Sequence, residues 1–391
     1  MLKHFFRKSL AIGIIIFFLS ASFVSISSGV NELIIDVCSL DSNYLSKKSN
    51  TEQHIYFSKE EPTPPDQPND GPGGSNYSHD GVLENSYKTG AKKYWIFEPI
   101  NPKPDSAPLI VFNHGWKYID PISYIEWIYH IVKKGNIVVY PAYRTCLTFG
   151  HKQANANAIQ AVKDAIDTLK QDDHVNPELD KFAIVGHSYG GGITANMAAQ
   201  AEDEGLPIPK AIMPVTPGIA YSKSADFNKI SAETFMIVIV GEDDTTVGNS
   251  SGIKIFNESA QIPLSNKDFV TQVTDTYGYP DLIADHKAPL CLPRSSSDTC
   301  NGMDFYSTWK LFEALTDYAF YGINKEYCLG NTPEQRFMGV WSDGTPVKEL
   351  IITDNPVDTS STERVYNNDI SSKDSYRNVP VSKTIFIRLF D

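Results

Sequence analysis

The sequence is short of the residues that most metal, redox and nucleotide chemistries need. It has 391 residues but only 5 cysteines, and no two of them stand as CxxC. That excludes a zinc ribbon and a thioredoxin-type dithiol. No HExxH, no GxxxxGK[ST] and no GxGxxG occurs, so the zincin helix, the phosphate-cradling loop and the dinucleotide turn are missing. Asp243 and Asp244 are adjacent carboxylates, but two acids do not make an EF-hand loop. No metal and no cofactor is expected. Positive charge is scarce too, with 34 Lys and Arg against 47 Asp and Glu and a net of −13. A surface that acidic repels phosphate, which argues against nucleic acid as a partner. The chain has no internal repeat, and its one long apolar run lies at the N-terminus.

What is present begins with an address. Lys3, Arg7 and Lys8 precede the apolar run Leu10–Leu19, and small residues follow from Ser20 to Gly29. This is the order of a secretory signal peptide, expected over residues 1–29. The alternative is an uncleaved anchor facing outside, and only then would a membrane be a partner. Either way the bulk of the chain is expected to be exported. Export permits disulfides. The cysteines are 38, 146, 291, 300 and 328, an odd number, so at least one stays unpaired within the chain. Cys291 and Cys300 are close in sequence and form the candidate bridge.

Residues 30–89 read as an irregular lead-in, densest in Pro, Gly, Asn and Asp over 57–80. From about residue 90 the pattern changes. Tyr94–Phe97, Leu109–Phe112, Ile137–Tyr140, Phe182–Val185, Ala211–Val215 and Phe235–Val240 are apolar throughout and read as buried strands. Between them lie helical spacings, such as Tyr124, Trp127, Ile128, Ile131 and Val132, then Ile159, Val162, Ile166 and Leu169. Trp309, Phe312, Leu315 and Ala319 mark a late helix. Apolar strands alternating with helices indicate an α/β fold with a mostly parallel sheet covered on both faces. The domain is expected over 90–322, with 323–391 an extension packing on it. Ile351-Ile352 and Ile385–Phe390 are candidate edge strands there. Ligands of such sheets bind at the carboxyl ends of the strands.

After strand 182–185 comes Gly186-His187-Ser188-Tyr189-Gly190. A G-x-S-x-G between a strand and a helix is the setting of a nucleophile elbow. The turn is so sharp that Gly186 and Gly190 must lack side chains. Ser188 is the candidate nucleophile, and a serine hydroxyl needs a base. In this setting the chain order is Ser, acid, His. Of nine histidines only His286 follows Ser188, so it is the candidate base. The acid should follow strand 235–240, where Glu242, Asp243 and Asp244 compete. Asp244 fits the usual Gly-x-x-Asp-x-x-Val spacing, with Asp243 the runner-up. Two N–H groups should face the oxyanion. One is that of Tyr189, directly after the serine. The other lies in His114-Gly115-Trp116 after strand 109–112, and Trp116 is the candidate. His114 and His187 read as hydrogen-bonded scaffold.

These residues, His114-Gly115-Trp116, Gly186–Gly190, Asp244 and His286, resemble the α/β-hydrolase superfamily over about 90–322. The run from Gly186 to Gly192 also looks like that of cutinase-like polyester hydrolases, dienelactone hydrolases and platelet-activating-factor acetylhydrolases. The resemblance implies an eight-stranded, mostly parallel sheet and ester hydrolysis through an acyl-enzyme. Residues 218–233 are too few for a large cap, so an open, shallow site is expected. The expected function is a secreted serine esterase acting on a small or polymeric ester. The alternative is a non-catalytic surface protein that uses the same fold to bind a ligand or partner. No feature of the sequence sets an oligomeric state.

Overall fold

The structure is a computed structural model that describes residues 61–145, 153–219, 224–291 and 299–357. The expected signal segment, Cys38, Cys146 and the candidate strand Ile385–Phe390 lie outside the described residues.

Nine strands form one sheet. In chain order they are β1 (Gly81–Tyr87), β2 (Tyr94–Ile100), β3 (Ser106–Asn113), β4 (Ile137–Pro141), β5 (Asn176–His187), β6 (Ala211–Val215), β7 (Phe235–Gly241), β8 (Lys267–Gln272) and β9 (Ile351–Thr353). The spatial order is β1-β2-β4-β3-β5-β6-β7-β8-β9. From β4 to β8 the neighbours run parallel, while β1 and β2 at one edge and β9 at the other pair antiparallel. The eight strands implied by the resemblance are therefore all present, and β9 is added on the outer edge of β8.

The sheet is apolar on both faces because helices cover both. Along β3, Leu109 and Val111 enter one core and Ile110 and Phe112 the other, as the two-residue period of a strand dictates. Helices α2 (Ala154–Leu169), α3 (Tyr189–Glu204) and α4 (Ser250–Glu258) close the first core. Helices α1 (Ile125–Lys133) and α5 (Lys310–Tyr321) close the second. Gly135, at φ +101°, ends α1 as its position in the sequence suggests. A single wider π turn, Asp304–Trp309, leads into α5.

Three of the elements that the sequence reading lacks have a plain physical reason. β1 falls within the lead-in expected to be irregular. It is an edge strand with polar, exposed Glu84 and Ser86, so it has no apolar run. β8 begins with Lys267 and Asp268, both buried. Lys267 donates to the carbonyls of Phe256 and Ser259, while Asp268 accepts from Gly330 N–H and the Gln335 amide. Tertiary partners satisfy both charges, and a strand pattern cannot show that. α4 is short and half polar, and it has no side-chain cap at its start.

Candidate active site

Ser188 occupies the turn between β5 and α3 with φ 58° and ψ −123°. A non-glycine residue there stores roughly 1–3 kcal/mol of strain, which the surroundings must hold. Ser188 N–H donates to Val215 at 2.9 Å, and its carbonyl accepts from Gly218 N–H at 2.8 Å and Gly191 N–H at 2.9 Å. Both flanking glycines are obligatory. A Cβ on Gly186 would stand 2.5 Å from the Gly190 carbonyl oxygen, and one on Gly190 would stand 2.1 Å from that of Asn113. The start of α3 thus lies directly on the end of β3.

The carboxyl ends of β7 and β8 bring in the other two groups. Asp244 follows β7, and His286 lies on a loop folded back against the same turn. Gly241 permits this approach, because a Cβ there would meet the Ala284 carbonyl at 2.3 Å. Asp243 N–H donates to that carbonyl at 3.1 Å. Thr274 completes the brace. Its hydroxyl donates to Asp243 and accepts from Ala284 N–H.

His286 then sits between the other two residues. Its Nε2 accepts from the Ser188 hydroxyl at 2.8 Å, and its Nδ1–H donates to Asp244 Oδ2 at 2.7 Å. The other Asp244 oxygen accepts from Thr246 N–H at 2.9 Å and Val247 N–H at 3.0 Å. Burial raises the pKa of this carboxyl, but the His286 hydrogen bond and charge and the two backbone donors outweigh it. The group is held below the ordinary aspartate range. Of the competing acids, Asp244 therefore meets the histidine, while Asp243 is exposed and serves the Thr274 brace.

Tyr189 begins α3, so its N–H lies at the positive end of the helix. The register pairs Asn113 with Gly186, which sets the loop carrying Trp116 beside the elbow. The Trp116 ring meets the Tyr189 ring edge-on at 5.1 Å. The Arg144 guanidinium lies over the Trp116 ring at 3.3 Å and donates to the Trp116 carbonyl. This arrangement brings a hydroxyl, a base, an acid and two backbone segments rich in N–H groups to one end of the sheet.

The Chlorophyllase family model matches residues 77–230, from the approach to β1 past the serine elbow. The strand order and the elbow after β5 are those of the α/β-hydrolase fold. The chain has that fold. No curated protein matches the sequence. Among solved structures, one from a study of two fungal esterases of Rhizomucor miehei is similar at 15% identity and a TM-score of 0.39. That similarity covers 51% of this chain and 77% of the fungal one.

The chain has one disulfide among its described residues, Cys291–Cys300, with Cα atoms 4.9 Å apart. Cys328 is a buried free thiol. The bridge joins the end of the histidine loop to the approach to α5, and Cys291 N–H donates to the Ser123 carbonyl at 3.1 Å. His114 and His187 are fully buried and hydrogen-bonded. Burial lowers their imidazole pKa values to about 4 and about 3, so both rings are neutral. Tyr124 was visible in the sequence only as part of a helical stripe. In the structure its hydroxyl is a polar contact of the elbow, 2.7 Å from His187 Nδ1, and it accepts from Gly115 N–H at 3.0 Å. Residues 146–152 and 220–223 lie outside the described residues.

Proposed function

We propose that this α/β hydrolase is an exported carboxylic-ester hydrolase working through Ser188, His286 and Asp244. One observation carries the reading. A strained serine donates to a histidine at 2.8 Å, and that histidine donates to a buried carboxylate at 2.7 Å. His286 takes the Ser188 proton as Oγ attacks the ester carbonyl. The Tyr189 and Trp116 N–H groups face the oxyanion of the tetrahedral intermediate. His286 gives the proton to the departing alcohol, leaving an acyl-serine, and water repeats the cycle. Asp244 holds the Nδ1–H tautomer and balances the imidazolium. Export is supported by the charged, apolar, small-residue order of residues 1–29 and by the Cys291–Cys300 bridge, which suits an oxidising compartment. The substrate class is a small or polymeric ester.

The test compares the full chain with Ser188→Ala, using a fluorophosphonate probe and a short-chain nitrophenyl ester. Wild type should be labelled once and turn over, and the variant should do neither. An unlabelled, inactive wild type would leave the fold as a binding scaffold.

A further inference from the structure

Beside the proposed triad lies a second histidine that the mechanism does not use. His187 precedes the nucleophile, is 0% exposed, and packs its ring 4.8 Å from that of His286. Its Nε2 is 2.8 Å from the backbone carbonyl of His286. A carbonyl oxygen only accepts, so Nε2 carries the proton and donates. In a neutral ring Nδ1 must then accept. Its partner at 2.7 Å is the Tyr124 hydroxyl, which donates to it. That leaves the Tyr124 oxygen free to accept, which it does from Gly115 N–H at 3.0 Å. Every proton in this chain is assigned by chemistry, and no group competes for one. It runs from Gly115, next to Trp116 on the oxyanion side, through Tyr124 and His187 to the His286 backbone on the base side.

We infer that Tyr124 and His187 are positioning residues that hold the oxyanion loop and the His286 loop at one spacing across the nucleophile. The inference rests on the proposed catalytic roles of Ser188 and His286. The chain is directional, since reversing the His187 tautomer would leave two acceptors facing at Nε2. A cationic His187 would also oppose the imidazolium that forms on His286 in each half-cycle. A fully buried, neutral ring removes that opposition.

Two measurements test this on the full-length wild-type chain and its variants. The first is nitrogen NMR of the histidine-labelled protein, with His187→Gln assigning the signals. His187 should show a protonated Nε2 and an unprotonated Nδ1, with no titration between about pH 5 and 8. A protonated Nδ1, or titration in that window, would overturn the inference, and the readout does not depend on activity. The second is kinetic. Gln at 187 retains an amide donor with reach toward the His286 carbonyl, whereas Asn is too short. His187→Asn and Tyr124→Phe should lower kcat about 100-fold with KM changed less than about threefold, the scale of a displaced general base. His187→Gln should recover most of that loss. Equal kcat in all three variants and wild type would refute the positioning role. If Ser188→Ala remained active, the catalytic reading itself would fail, while the NMR result would still report the tautomer.

Discussion

At the residue scale, three adjacent acids divide the work after β7. Asp244 is buried against His286, while Asp243 is held by Thr274 and Glu242 accepts from Thr274 N–H at 3.1 Å. Asp244→Asn should therefore cut kcat about 10³–10⁴-fold by removing the tautomer control that a carboxylate exerts. Asp243→Asn should stay within a few-fold, because it loosens a brace and not a proton path. Steady-state hydrolysis of one ester by both variants checks the pair, and equal losses would move the acid role. A second residue sets a pH dependence. Asp304 is fully buried with one carboxyl oxygen lacking a partner among the described residues, and burial pushes its pKa well above the ordinary value. The folded chain thus binds a proton that the unfolded chain releases above about pH 4. Stability from this group is fully present below that pH and declines as pH rises. Asp304→Asn should melt progressively higher than wild type as pH is raised from about 4 to 8, read as the difference in Tm at each pH. A difference that stays constant would rule out the titration.

At the element scale, the extension after α5 is part of the hydrophobic core. Leu329, Met338, Trp341, Val347 and Leu350 are all 2% exposed or less. Burying each such side chain stabilises by roughly 1.5–3 kcal/mol, and five together rival the roughly 5–15 kcal/mol of a whole domain. Two buried carboxylates fasten this segment. Asp268 takes Gly330 N–H and the Gln335 amide, and Asp275 takes the Trp341 indole N–H at 3.1 Å and Lys348 N–H at 3.0 Å. Lys310 donates to the carbonyls of Glu334, Gln335 and Phe337, which end the short helix α6 (Pro333–Arg336). β9 also covers the edge of β8, whose unpaired backbone would otherwise invite other chains. A chain ending at Gly322 should be recovered insoluble or aggregated. Soluble, cooperatively melting protein from that truncation would show the segment to be dispensable.

At the scale of the whole molecule, the groups that meet at Ser188 come from separate loops between Gly115 and His286. Their spacing depends on ties between distant segments. Cys291–Cys300 is the covalent tie, and it lies directly after the histidine loop. Breaking it with a dithiol reductant should cost about 2–3 kcal/mol of stability, the loop-closure scale for a short loop. The Tm should fall accordingly, while Cys328→Ala, which removes only a buried free thiol, should leave the reductant effect in place. An unchanged Tm in protein whose mass shows both thiols reduced would exclude a stabilising role. The described helices include none long and apolar enough to cross a membrane.

The sequence by itself determined the alternation of elements and most of the site. Strand runs such as Ile137–Tyr140 and Phe235–Val240 are apolar because helices cover both faces, so their local pattern states their burial. The elbow is equally local, since the turn around Ser188 forbids side chains at Gly186 and Gly190, and five consecutive residues record that demand. His286 stood out because no other histidine follows the serine. The Gly-x-x-Asp-x-x-Val spacing favoured Asp244, and tertiary structure supplied the contact that separates it from Asp243. Asp243 and Asp244 are adjacent and chemically identical, and only the fold of the loop around Ala284 turns one inward and the other to solvent. The same holds for β8, whose charged start becomes a strand through partners 8 to 67 residues away, and for Tyr124. A tyrosine in a helical stripe reads as packing, because the Gly115 and His187 atoms that use its hydroxyl are brought to it by the assembled sheet.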